Sequence, residues 1–147
     1  MDTIRRGDMV YIISKNLSLT EDVVRRTLVG YVNYVKQKLD KNESVNILNI
    51  ATLKVRDYDG YLDTLAYACT EVAKEVNISP LAVKEILSYY EEQLLYDIRD
   101  GYDHSLTGLV TVSIEKGRLV VSKSRLLGKT TDFRLKTIRS FKRKAES

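Results

Sequence analysis

Gly128-Lys-Thr-Thr131 has the ending of a phosphate-binding loop, in which backbone N–H groups and a lysine cradle phosphate oxygens. The full pattern, G-x-x-x-x-G-K-[ST], needs a glycine where this chain has Lys123. No nucleotide site is expected. Asp103-His104-Ser105 carries the three residue types of a hydrolase triad. Neighbours on an extended chain point to opposite faces and cannot converge, so His104 is read as an ordinary strand residue. Glu91-Glu92 is read on a helix surface; a general acid–base pair needs a cleft, and nothing in the sequence marks one. Cys69 stands among Ala66, Ala68, Val72 and Ala73 and is read as a small buried helix residue. A single cysteine excludes an intramolecular disulfide, and with a single histidine it also excludes a Cys/His zinc site. The chain is therefore read as non-enzymatic, with no cofactor, metal or small-molecule substrate.

Charge is the remaining chemical signal, once it is divided along the chain. Residues 116–147 hold 11 Lys/Arg against Asp132 and Glu146, a balance of +9. Residues 1–115 hold 13 basic and 18 acidic residues, a balance of −5. A basic tail on an acidic body points to a polyanion or to an acidic protein surface; a plain solvated tail is the alternative. The candidate polyanion- or partner-binding residues are Arg125, Lys129, Arg134, Lys136, Arg139, Lys142, Arg143 and Lys144. The chain also has ten tyrosines. Tyr31 and Tyr90 are read as core, and Tyr34, Tyr58, Tyr61, Tyr89, Tyr96 and Tyr102 as partly exposed. Base stacking usually interleaves aromatics with Lys/Arg. Here the tyrosines lie mainly in the acidic body, which favours protein contacts.

The elements that carry these residues repeat. Leu17-Ser-Leu-Thr-Glu-Asp-Val-Val24 matches Val76-Asn-Ile-Ser-Pro-Leu-Ala-Val83 at an offset of 59 residues. At the same offset Val45–Val55 matches His104–Ile114 without a gap. Each half reads as helix, helix, strand. Asp8 and Asp63 are read as N-caps of the first helices, through about Asn16 and over about 64–76. Thr20 and Ser79 cap the second helices, with Pro80 at the first helical position. Val24, Leu28, Tyr31, Val35 and Leu39 recur at helical spacing, as do Val83, Leu87, Tyr90, Leu94 and Ile98. Asn42 and Gly101 can both take the left-handed conformation that ends a helix. Val45, Ile47, Leu53 and Val55 predict a half-buried strand, and Glu115-Lys-Gly117 predicts a hairpin turn into Arg118–Lys123. Beyond Lys123, loop or edge strand is open for 124–131, and helix or strand for Phe133, Leu135, Ile138 and Phe141. The expected organisation is a first unit at 1–60, a second at 61–124 and a basic extension at 125–147.

A helix, a turn residue and then an alternating strand, as in Leu19–Val55, resembles the HU/IHF histone-like family. Asn49, Ile50, Ala51, Thr52 and Leu53 fall on its central positions. Leu106-Thr-Gly-Leu-Val-Thr-Val112 repeats the signature and keeps its glycine as Gly108, with aliphatic residues where the family has phenylalanine. Two copies on one chain imply an α+β fold: tandem helix-helix-strand units packed as an intramolecular pseudodimer, with a C-terminal hairpin and a basic tail. A helix pair with one short strand is too small to bury its apolar face alone.

Members of that family that bend DNA carry long two-stranded arms with a proline wedge at the tip, which unstacks base steps. The six linker residues Arg56–Tyr61 and the tight hairpin Ile114–Lys123 leave no room for arms, and Pro80 stands at a helix start. The resemblance then implies a structural protein, like the HU/IHF-like ring modules in tails of crAss-like bacteriophages. Its partners would be other protein subunits in a homo-oligomeric ring or larger assembly, located in the virion tail. The other reading is a non-bending, sequence-nonspecific DNA-binding protein that uses its basic tail, cytoplasmic or nucleoid-associated. No apolar run approaches a membrane span, so no membrane partner is expected. Met1–Ile13 shows no long apolar stretch ending in small residues, and no signal peptide is expected. In the assembly reading, the tail from Phe133 buries Phe133, Ile138 and Phe141 against a neighbouring chain. A tail folded back onto its own core, or laid along nucleic acid with no protein neighbour, would make that reading wrong.

Overall fold

The computed structural model describes residues 3–124 and, as backbone alone, residues 133–137. It is an α+β fold of four helices and two sheets. The order is β1 (Thr3–Ile4), α1 (Arg6–Leu17), α2 (Glu21–Asp40), β2 (Val45–Ile47), β3 (Ala51–Val55), α3 (Leu65–Val76), α4 (Pro80–Arg99), β4 (Asp103–Leu106), β5 (Val110–Glu115), β6 (Arg118–Lys123) and β7 (Phe133–Thr137). The short helices α1 and α3 each have 12 residues, and the long helices α2 and α4 each have 20. Each starts 59 residues after its counterpart, as do β5 after β3.

The caps explain these lengths. Thr20 accepts from Val23 N at 3.2 Å, and Ser79 from Ala82 N at 3.1 Å, with Pro80 following as expected. The first helix of each half corrects the expected cap. Asp8 is inside α1, where its carboxylate accepts from Arg5 N at 2.9 Å, so the helix begins at Arg6. Asp63 stands one residue too early: the Thr64 hydroxyl accepts from Tyr67 N at 3.1 Å. In α1 the expected Asp8 is an acceptor, but from inside the helix; in α3 the acceptor is Thr64 and not the expected Asp63. Asn42 (φ 58) and Gly101 (φ 95) turn the chain out of the long helices, as expected.

The segment 45–55 is not one strand. It is the hairpin β2–β3, turning through Leu48-Asn49-Ile50 with Leu48 at φ 50. Leu48 and Ile50 are 2% and 1% exposed, so the turn is packed inward and carries apolar residues that look like strand. Tyr31 Oη accepts from Leu48 N at 2.6 Å, which satisfies a backbone donor in that buried turn. The second half repeats the device: β4 and β5 are joined through Thr107-Gly108-Leu109, with Gly108 at φ 93. The predicted β5–β6 hairpin is present, with Lys116 and Gly117 both at positive φ in a two-residue turn.

The halves exchange contacts rather than sitting side by side. α2 packs on α3, and α1 on α4. The β2–β3 turn reaches across to α4, where Glu91 Oε1 accepts from Asn49 N at 2.8 Å. The β4–β5 turn reaches across to α2: a Cβ on Gly108 would lie 3.4 Å from Val32 Cγ1 and 3.3 Å from Lys36 Nζ. Val32 and Glu91 are 59 residues apart, so the two crossings are equivalent. One hydrophobic cluster contains both helical stripes, including Val24, Leu28 and Val35 with Val83, Leu87 and Leu94. Gly30 sets the α2–α3 approach, since a Cβ there would stand 2.5 Å from Val76 Cγ1. Gly30→Ala should therefore cost about 1–3 kcal/mol, despite alanine's better helix propensity. Equilibrium urea unfolding checks this; a gain in stability would show that the helices can separate freely.

The basic extension brings the main correction. The backbone of β7 pairs antiparallel with β3, from Ala51↔Thr137 to Val55↔Phe133. The strand orders are β1-β4-β5-β6 and β2-β3-β7. In each sheet a third antiparallel strand lies against the second strand of the inner hairpin. In the second half β6 supplies it directly. In the first half the chain has already left for α3, so the strand comes from residues 133–137. The expectation that the tail from Phe133 packs on another chain is thus overturned for 133–137. Ile138 and Phe141 lie outside the described residues. The N-terminal strand β1, which pairs parallel with β4 at Thr3↔Asp103 and Ile4↔His104, was not anticipated; two residues are too few for a periodicity.

Candidate functional site

Of the predicted partner-binding residues, Arg134 and Lys136 lie in β7, opposite Lys54 and Thr52 of β3. Arg125, Lys129, Arg139, Lys142, Arg143 and Lys144 lie outside the described residues. β6 runs beside β7, so the third strands of the two sheets meet. On β3, β6 and the turns next to them the described chain carries exposed Lys54, Arg56, Lys116, Arg118 and Lys123, together with exposed Asp57, Asp59 and Glu115. Sequence reading placed the binding residues in the tail alone. Lys54 and Arg56 were missed because they were summed into residues 1–115, whose balance is −5, and only the β3–β7 pairing brings them to the tail strand. A surface of this sign attracts phosphates or carboxylates without specifying a sequence.

The helical body presents different chemistry. Tyr31 and Tyr90 are each 3% exposed, as their matched positions require. Tyr61 is 96% exposed, Leu81 75%, Tyr96 61% and Tyr11 57%. Between α2 and α3 runs an open groove of ≈ 400 Å³, lined by Asn33, Gln37, Lys41, Tyr67 and Lys74 among others. At its end Lys38 Nζ stands 2.8 Å from Asp63 and 3.5 Å from Glu43, and the Tyr34 hydroxyl donates to Asp63. Burial alone would raise the Asp63 carboxyl, but the bonds from Lys38 and Tyr34 outweigh it and hold it below the usual carboxylate range. The bond to Asp63 raises the Lys38 ammonium in turn. This network ties the linker between the halves to α2. It offers no nucleophile beside a base.

His104 is a strand residue, as expected, and is 0% exposed. Its Nε2 lies 2.8 Å from Tyr90 Oη, with the rings edge to face at 5.2 Å. Asp97 from α4 was not associated with it in the sequence, since they are seven residues apart across a helix end. Asp97 Oδ2 stands 4.0 Å from His104 Nδ1. Burial lowers the imidazole to about 4, pushes the Tyr90 hydroxyl far above its ordinary value, and raises the Asp97 carboxyl. A cavity of ≈ 10 Å³ between Leu28, Leu87, Tyr31 and Tyr90 has room for about one water molecule. Perturbed groups sealed from substrate cannot turn over a substrate, so this cluster is not a catalytic site.

No family model matches the chain, and no characterised protein matches it in sequence. Among the described residues no group of His, Cys, Asp and Glu is arranged to hold a metal ion, and no helix is long and apolar enough to cross a membrane.

Proposed function

We propose that the chain is a non-enzymatic structural subunit built as an HU/IHF-like pseudodimer, and that it works as a repeated component of a larger protein assembly. A ring or connector of a bacteriophage virion tail is the form that the resemblance implies. Equal helix lengths at a 59-residue offset and the reciprocal crossings of the two turns support the pseudodimer. The observation that carries the assembly reading is the set of large side chains left exposed on the helices and on the linker between the halves: Tyr11, Leu81 and Tyr96, with Tyr61 on the linker. Tyrosine buries area at low entropy cost, and aromatic anchors of this kind dominate interfaces. The route of assembly differs from the one expected, because β7 belongs to its own chain's sheet. The helical body, not β7, then meets the neighbour.

A second reading has its own observation. Basic residues on β3, β6 and β7 lie on neighbouring strands, a surface suited to the phosphates of duplex DNA. Its hairpin β5–β6 has six residues a strand, too short to wrap a duplex. One measurement separates the readings: the mass of the purified chain by light scattering, with and without duplex DNA, at low and moderate salt. Assembly predicts an oligomer without DNA, which Tyr96→Glu with Leu81→Glu converts to monomer at unchanged melting temperature. DNA binding predicts a monomer that shifts mass with DNA, weakens steeply as salt rises, and weakens further when residues 142–147 are deleted. A salt-resistant monomer that ignores DNA would remove both.

A further inference from the structure

The α2–α3 groove continues into a second recess of ≈ 440 Å³ towards the start of α2, and Gly30, Asn33 and Glu75 line both. Gly30, Val72 and Val76 give it an apolar floor. Along its α2 side runs one stripe at spacings of four, three, four and four residues: Arg26, Gly30, Asn33, Gln37 and Lys41. All but Gly30 are exposed.

The matched stripe of α4, 59 residues on, is Glu85, Tyr89, Glu92, Tyr96 and Asp100. Tyr89 is half-buried and the other four are exposed. The repeat keeps the helix and inverts its outer face. Arg26 and Lys41 become Glu85 and Asp100, and neutral Asn33 becomes Glu92. Gly30, which has no side chain, becomes Tyr89, and Gln37 becomes Tyr96. Beside the stripes Asp40 becomes Arg99, again a change of sign, whereas Arg25 and Lys84 keep theirs. The inverted charges are exposed, so the core does not demand this pattern.

We propose that the α2–α3 groove is the docking site for α4 of a second copy of this chain, in a head-to-tail contact: the acidic stripe lies along the basic one, and the Tyr96 ring enters the recess that Gly30 leaves open. This rests on the assembly reading above and names its interface. Like faces repel. α2 against α2 sets Arg26 and Lys41 against each other, and α4 against α4 does the same to Glu85, Glu92 and Asp100. The chain's own basic extension, +9 over residues 116–147, has the wrong sign for the groove. An aromatic anchor on an apolar floor within a charged rim is the anatomy of a specific interface. Because the two faces differ, each added copy leaves one of them open, and growth ends only where the rotation closes a ring.

Charge exchange in the full chain tests the contact by light scattering at low salt. Arg26→Glu with Lys41→Glu makes the α2 stripe acidic; Glu85→Lys with Asp100→Lys makes the α4 stripe basic. Each of these two variants alone should be monomeric. An equimolar mixture of them should assemble again, because each offers the other a complementary face. Arg26 also donates to the Val76 carbonyl, so Asn33→Glu with Lys41→Glu takes its place if the first pair lowers the melting temperature. Oligomers of unchanged mass in both variants overturn the contact and leave the assembly reading standing. Dissociation in one variant only, or no recovery on mixing, overturns the head-to-tail pairing. A natural chain that stays monomeric overturns the assembly reading and this contact with it.

Discussion

Leu28→Asp and Leu87→Asp should each unfold the entire chain, not the half that carries the substitution. Leu28 and Leu87 are 6% and 1% exposed and line the same small cavity with Tyr31 and Tyr90. They are equivalent positions on α2 and α4, and the cluster they share contains side chains from all four helices and both inner hairpins. Each substitution removes a buried leucine, worth about 2–5 kcal/mol, and leaves a carboxylate with no partner, which adds several more. Against a typical stability of about 5–15 kcal/mol, that loss empties the native state or nearly so. Circular dichroism and one-dimensional NMR of the variants check it. A variant whose other half kept dispersed methyl resonances would mean two independent cores.

Residues 1–60 alone should show no stable folded monomer. In the whole chain α2 packs on α3, the 48–50 turn hangs from Glu91 of α4, and β3 is bordered by β7. None of those partners is present in the fragment. It would expose the apolar faces of α1 and α2, and β3 would become an open edge. Mixed with residues 61–147, the fragment should recover helical signal and a single cooperative transition, because the groups that complete each half are carried by the other. Thermal unfolding of the separate and mixed fragments gives the answer. A cooperative melt of the 1–60 monomer would sink the interlocked reading of the fold.

The sequence by itself determined the repeating plan. Two amphipathic stripes of matched length, Thr20 and Ser79 before them, Asn42 and Gly101 after them, and the Lys116–Gly117 turn are local signals. Each rests on backbone preference or helical spacing within a few residues, so each can be read without knowing what packs where. The sealed position of Tyr31 and Tyr90 follows from the same spacing.

Only the tertiary structure decided what those elements meet. Leu48 and Ile50 look like strand because a buried turn needs apolar side chains, and the Tyr31 hydroxyl that satisfies it lies 17 residues away. Strand β7 could not be recognised, because pairing with β3 joins residues 51–55 to 133–137, and no local pattern encodes a partner that distant. That pairing turned a presumed connector to a neighbour into the third strand of the first sheet, and it brought Lys54 beside the basic tail. His104 was legible as a strand residue. Its standing against Asp97 was not, since it depends on how the end of α4 folds back over β4. Local chemistry sets which elements form, whereas burial of their apolar faces against distant segments sets which charges and polar groups end up together.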